Sequence, residues 1–313
     1  MGKTLIIGAC GQLGSELTMY LRDLKGNDQV VAADISEPVP YIADGPFEKL
    51  NIMDKEQFHQ VLEKHNIREV YHLAAILSAK GEQNPLFAWQ LNMDSLLLVL
   101  EAARERKIDK IYWPSSIAVF GPDTPKDQTP QNTVMNPNTV YGISKQAGER
   151  WCQYYFDKYQ VDVRSIRYPG LIGYKTKPGG GTTDYAVDIF FKAVEEQPFD
   201  CFLKADTELP MMYMNDAVRA TVELMEAPSE DIHIRSSYNL AAISFTPEEI
   251  YQELKKHFPD FSISYNPDFR QAIADSWPNS IDDSAATEDW GWQPGFDLAA
   301  MTDEIISKMT EKI

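Results

Sequence analysis

The sequence predicts an α/β fold: a doubly wound parallel sheet, with a smaller α/β lobe interleaved in its last part. Three observations carry the prediction. Short apolar runs alternate with segments of helical spacing through the first half of the chain. The first run stops at a triplet of glycines that opens a helix-spaced segment. Beyond Gly170 the texture changes: glycine and proline cluster from Pro169 to Gly181, and the later segments are shorter.

The elements follow in order. "KTLIIG" (Lys3–Gly8) is a short apolar run ending at glycine, as a buried strand does. "GSELTMYLRDL" has helical spacing. "QVVAAD" (Gln29–Asp34) is a second strand ending in an acid. A helix near Asp54–His65 leads to a strand over "EVYHLAA" (Glu69–Ala75). Pro85–Arg106 repeats apolar residues every three to four positions, so a long helix is expected there. "KIYWPSS" (Lys110–Ser116) reads as a strand, Tyr141–Tyr159 as a helix and "VDVRSIRYPG" (Val161–Gly170) as a strand. A late strand is expected near Ser237–Leu240, before the Trp-rich "DWGWQPGF".

Composition narrows the function. The net charge is -18, whereas nucleic-acid binding usually needs a basic face, so no nucleic-acid partner is expected. No apolar run approaches the roughly 20 residues of a membrane span, and the N-terminus has no signal or transit pattern. Cys10, Cys152 and Cys201 are scattered without ligand spacing, so no metal site is expected and a reducing cytoplasm fits.

The glycine triplet Gly8, Gly11 and Gly14 in "GACGQLG" has dinucleotide-binding spacing. The first permits a tight turn, the second lets a pyrophosphate reach the backbone, and the third lets helix and strand pack closely. The helix N-terminus then offers free N–H groups to the anion. Asp34 ends the second strand 20 residues after Gly14. A carboxylate there accepts from ribose hydroxyls and repels a 2′-phosphate, and no Arg lies between it and the helix near Asp54–His65. NAD rather than NADP is expected.

"YGISK" places Tyr141 and Lys145 on one helical face. A free tyrosine has a pKa of about 10, too high for a base at neutral pH. A neighbouring ammonium favours the phenolate, so Tyr141 can take a proton from a substrate hydroxyl. Ser115 and Ser116 end a strand and can align that oxygen.

Together, the glycine triplet, Asp34, "HLAA" (His72–Ala75), Asn92, "SSIAVFG", "YGISK" and "RYPG" resemble the extended short-chain dehydrogenase/reductases over essentially the whole chain. The resemblance implies a Rossmann-type fold and a catalytic triad of Ser116, Tyr141 and Lys145. Ser116 is the better match because it stands four residues before Phe120, where relatives usually carry Tyr. It also implies cofactor contacts from Asn51, Ile52, Leu73, Ala74, Ala75 and Asn92, although Asn51 replaces the more usual Asp. Gln12 and Leu13 in the turn, and Tyr168 and Leu171 around "RYPG", complete the cofactor candidates. The expected division is a NAD-binding domain over 1–170 plus about 205–240. A substrate lobe takes 171–204 plus about 241–313. The family precedent implies a homodimer through the two long helices.

Many members of that family act on nucleotide sugars and carry an Arg before a strand-end motif that holds the diphosphate. Here Leu209 stands at that place in "LPMMYMNDA", and Arg270 is the cation that keeps the nucleotide-sugar epimerase or dehydratase reading open. "PGGGTTDYAVDIF" with "SWPNSIDDSAATEDWGW" instead resembles the short-chain type of L-threonine 3-dehydrogenase. This implies NAD-dependent oxidation of the 3-hydroxyl of L-threonine, giving 2-amino-3-oxobutanoate. Backbone amides of a glycine loop suit a substrate carboxylate, so Gly180, Gly181, Thr182 and Thr183 are substrate candidates. Ser78, Ser115, Ser116 and Tyr141 join them. Asp184 either caps the next helix or nears the ammonium. Trp277, Trp290 and Trp292 are expected in the core. A cofactor-sensing regulatory protein on the same fold is a further alternative, but such proteins commonly lack the Tyr or Lys found here.

Overall fold

The computed structural model describes residues 2–177 and 179–311, so Pro178 of the glycine-rich stretch lies outside the described residues. The N-terminal half alternates strand and helix as expected. The strands are β1 (Lys3–Ile7), β2 (Val30–Asp34), β3 (Phe47–Lys49), β4 (Ile67–His72) and β5 (Lys110–Tyr112). Between them run α1 (Gln12–Lys25), α2 (Lys55–His65), the single turn α3 (Ser78–Gly81) and α4 (Pro85–Arg104). After β5 come β6 (Ser115–Ser116), α5 (Val140–Tyr159), β7 (Asp162–Arg164), β8 (Ile166–Tyr168) and β9 (Gly170–Ile172).

Six strands form a parallel sheet in the order β3-β2-β1-β4-β5-β7. The chain turns outward in opposite directions from β1, towards β2 and towards β4. Ligands of such sheets bind at that switch point, beyond the carboxyl ends of the strands. Alternate residues of each strand enter two cores. Leu5, Ile7, Val31, Ala33 and Val70 pack with Phe58, Leu96, Val99 and Cys152 of α2, α4 and α5. Ile6, Val30, Ala32 and Tyr71 pack on the other face with Leu17 and Leu21 of α1 and with the C-terminal elements. Burial on both faces explains why these strands read as continuous apolar runs.

Two expected strands break. Lys110–Ser116 divides into β5 and β6, and Val161–Gly170 into β7 and β8, with β9 starting at Gly170. Pro114 and Pro169 lack the N–H a ladder needs, and partners change there, as they also do at Ser165 between β7 and β8. β6, β8 and β12 (Tyr238–Asn239) form one three-stranded sheet, with β12 at the expected late strand. β9 pairs with β11 (Leu209–Tyr213), which pairs antiparallel with β13 (Ile243–Phe245). The fourth helix also stops earlier than expected: Glu105 caps α4 and Arg106 takes a φ of 64°.

The C-terminal part adds β10 (Phe199–Cys201) paired with β14 (Ile263–Tyr265), and helices α6 (Tyr185–Val194), α7 (Met214–Glu226) and α8 (Pro247–Lys255). Helices α9 (Arg270–Ala274), α10 (Ser284–Trp290) and α11 (Leu298–Thr310) complete it. Trp292 is fully buried and its ring lies 5.9 Å from that of Trp290, as a core role requires. No described helix is long and apolar enough to cross a membrane.

Candidate active site

The turn between β1 and α1 shows what each glycine does. Gly8 has a φ of +86°, and a Cβ there would lie 2.8 Å from the Ala74 backbone nitrogen. A Cβ on Gly14 would lie 2.1 Å from the Gly8 carbonyl oxygen, so helix and strand could not pack. Gly11 is different. A Cβ there would meet only the Gly8 carbonyl, at 3.4 Å, so its missing side chain opens space beside the helix end. Gly11 caps α1 with no side-chain hydrogen bond, and the first turn carries no acid. An uncapped N-terminus with a cradle that a Cβ would fill fits a pyrophosphate. Asp34 is held at the end of β2. Its Oδ2 accepts from Cys10 N and its Oδ1 from Ser36 N, each at 2.9 Å.

A cavity of about 270 Å³ opens at the carboxyl ends of the strands. It gathers Gly8, Gly11, Gln12, Leu13 and Gly14 from the turn, and Leu73, Ala75 and Ser78 beyond β4. Ser115 and Ser116 of β6, Tyr141 and Lys145 of α5, and Tyr168 and Leu171 add a second wall. Gly181, Thr182 and Thr183 add a third. Asp34, Asn51, Ile52, Ala74, Asn92 and Gly180 do not line it. Asp184, expected either to cap a helix or to near the ammonium, lines it too, and Leu77, Pro114, Ile117, Pro169, Gly170 and Trp277 line it without having been singled out as contacts.

Thr139 caps α5 through Gly142 N, which starts the helix just before Tyr141. Tyr141 and Lys145 then face the strand end together. The Lys145 Nζ donates to the Pro114 carbonyl at 2.5 Å and sits 4.4 Å from the Trp113 ring centre. Burial pushes the Tyr141 phenol up to about 12, opposed by a hydrogen bond with Ser116. The expected lowering by Lys145 is not among the causes acting on the phenol here. The ammonium lies 5.5 Å from the centre of the Tyr141 ring and is bonded to Pro114, while burial lowers Lys145 itself to about 7.

The model of the NAD dependent epimerase/dehydratase family matches residues 4–241. The chain belongs to this family. NAD is its cofactor, and its expected place among the extended short-chain dehydrogenase/reductases is borne out. It is 49% identical to an uncharacterized epimerase/dehydratase of Staphylococcus saprophyticus, covering 100% of this chain and 98% of that one. A solved partial-consensus L-threonine 3-dehydrogenase (E-change) is 56% identical, with a TM-score of 0.97 over 99% of both chains. A monomeric L-threonine 3-dehydrogenase from a metagenome, in its apo form, is 50% identical, with a TM-score of 0.95 over 99% of both chains.

Within this epimerase/dehydratase fold several expected contacts play other parts. Gly180 and Gly181 do not hold free amides for a substrate: both N–H groups donate to Asp184 Oδ2, at 2.8 and 2.7 Å. Asp184 therefore ties the glycine loop and makes no side-chain cap on α6. Ser115 lies in the cavity wall, but its Oγ donates to buried Glu149 Oε1 at 2.6 Å. Asn92 is buried and holds the loop after β4. Its Oδ1 accepts from Ile76 N at 2.8 Å, and its Nδ2 donates to the Ile76 carbonyl and to Ser144. The Tyr168 hydroxyl turns into the core, accepting from Tyr112 at 2.6 Å and bonding Thr221. Asn51 is exposed, and its side chain accepts from Met53 N at 3.1 Å. Ser78 and Thr182 are both buried with hydroxyls 3.4 Å apart across the cavity.

Proposed function

We propose that the chain is an NAD-dependent L-threonine 3-dehydrogenase, oxidising the 3-hydroxyl to give 2-amino-3-oxobutanoate. The observation that carries the reading is the likeness, over nearly the full length of both chains, to solved enzymes of that name. The cavity suits a small, zwitterionic substrate. Tyr141 and Ser116 stand on one wall, with Ser78, Thr182, Thr183 and Asp184 elsewhere around it.

In this reading the Tyr141 hydroxyl, as phenolate, takes the proton from the substrate's 3-hydroxyl, and Ser116 orients that oxygen. Lys145 holds the ribose and supplies positive charge beside the phenol. Gly11 and the uncapped end of α1 hold the pyrophosphate, and Asp34 takes the ribose hydroxyls. NAD, when bound, supplies the acceptor for the hydride from C3. Asp184 Oδ2 is engaged by the loop amides, and the carboxylate faces the cavity where the substrate ammonium can meet it. Trp277, 5% exposed, walls the same space from the C-terminal part. The division of 171–204 with about 241–313 as the substrate lobe belongs to this proposal.

The cation of the nucleotide-sugar reading is already engaged by a neighbouring carboxylate. Arg270 donates to both oxygens of Asp268, at 2.7 to 3.1 Å, and lies over the Phe202 ring. Lys145 is the sole Lys or Arg among the described residues lining the cavity. The test is NADH formation with L-threonine by wild type and Y141F. Y141F should lose about a hundredfold to ten-thousandfold in turnover. Full turnover in Y141F, or nucleotide-sugar epimerisation without NADH, would overturn the reading.

We also propose a homodimer through α4 and α5, whose Leu86, Phe87, Trp89, Trp151 and Tyr154 are exposed. Sedimentation of wild type beside L86E tests this: a monomeric wild type rejects it.

A further inference from the structure

Glu149 is fully buried one helical turn beyond Lys145, and the reaction as described does not use it. Helix α5 therefore presents Tyr141, Lys145 and Glu149 along one stripe. Each meets a different part of the strand end. Tyr141 lines the cavity with Ser116, Lys145 donates to the Pro114 carbonyl, and Glu149 accepts from Ser115. Gly148 completes the seat, since a Cβ there would lie 2.3 Å from the Trp113 ring.

The carboxylate is anchored from behind. Arg167 donates Nε to Glu149 Oε1 at 2.9 Å and Nη2 to Oε2 at 2.8 Å. Its Nη1 donates to the Gln131 carbonyl and to Asn239 Oδ1, both at 2.9 Å. Ser115, Arg167 and Asn239 stand side by side in the β6-β8-β12 sheet. A buried polar row thus crosses three strands and ends on the catalytic helix. Every polar atom of Glu149 and the Ser115 hydroxyl has a partner in this row, which is the condition for a buried charge pair to order its surroundings.

We propose that Glu149 is a positioning residue: through Ser115 it fixes the Trp113–Ser116 segment against α5, and so sets where Ser116 and the Lys145 ammonium stand in the site. This rests on the assignment of Ser116, Tyr141 and Lys145 to the reaction. Breaking Glu149 directly leaves Arg167 buried and unpaired, so the decisive variants are at Ser115. S115T and S115V have the same shape and differ in the hydroxyl that reaches Glu149.

Two readouts follow. Turnover with L-threonine and NAD should be about tenfold lower in S115V than in S115T, because a small misplacement of an aligning group is costly, with KM within about twofold. Independently of any substrate, hydrogen exchange of the Trp113–Ser116 amides should be about tenfold faster in S115V. Equal turnover in the two variants overturns the proposal. So does lower turnover with unchanged exchange, which would assign the Ser115 hydroxyl to direct substrate contact. If the added methyl prevents folding, S115A against wild type repeats both measurements. A wild type inactive on L-threonine would sink the functional reading alone, since the exchange measurement still decides the positioning claim.

Discussion

Two glycine-rich segments border the same cavity, and they use their backbones in opposite ways. The turn Gly8–Gly14 leaves the end of α1 uncapped, without a side-chain partner or an acid in its first turn. The loop at Gly179–Gly181 gives both of its inner amides to Asp184. Glycine content alone therefore does not make an anion site. What decides is whether a neighbouring side chain has already satisfied the N–H groups. The first segment is open to a phosphate. The second is a preformed wall, and the charged group it offers is a carboxylate.

Substitutions can break this contrast, the largest effect first. G14A puts a Cβ into the Gly8 carbonyl and should cost about 3 kcal/mol of stability, read as a lower melting transition with or without NAD. G11A should leave the melt unchanged, because its Cβ meets one atom at an ordinary distance. It should nevertheless weaken NAD binding about tenfold to a hundredfold, read by titration, as lost hydrogen bonds to a charged group would. Equal losses of stability in the two variants would erase the distinction between packing glycine and cradle glycine.

D184A should do the reverse of G11A. With the Gly180 and Gly181 amides released, the KM for L-threonine should rise about tenfold while NAD affinity holds. D184N sharpens this further. Its amide oxygen can still accept both N–H groups, so the loop should stay closed, and a raised KM would then report the lost charge. Burial raises the Asp184 carboxyl above its ordinary value, against the pull of the Gly181 and Gly180 amides. Its folded pKa exceeds the unfolded one, so this group's contribution is full below the unfolded value near 3.8 and is lost as pH rises through the folded value. D184N, with no charge to desolvate, should therefore melt above wild type at pH 7, and the gap should close as acid is added.

The sheet, the dinucleotide turn and the Tyr141–Lys145 pair were legible because each is written in local spacing. Gly8, Gly11 and Gly14 sit between a strand and a helix, and Tyr141 and Lys145 share a face by helical period alone. The three-residue β3 has no such period, and the breaks at Pro114 and Pro169 look like continuous strands until the missing N–H is counted. Asp184 was visible as a residue near a helix start. Its bond to the glycine loop depends on Gly180 taking a φ of +99°, which the sequence permits without requiring. Glu149 and Arg167 lie 18 residues apart and meet because α5 packs over β6, whose Ser115 pairs with Arg167 in the sheet. Trp277 has the composition of a core residue and is one, with a face left on the cavity.

The most direct measurement uses L-threonine deuterated at C3, mixed with the protein and NAD, with the reduced cofactor analysed by mass. The reading of the site predicts reduced cofactor carrying one deuterium per turnover, formed at least about a hundredfold more slowly by Y141F. Reduced cofactor without deuterium, or none from threonine while a nucleotide sugar is epimerised, would contradict it.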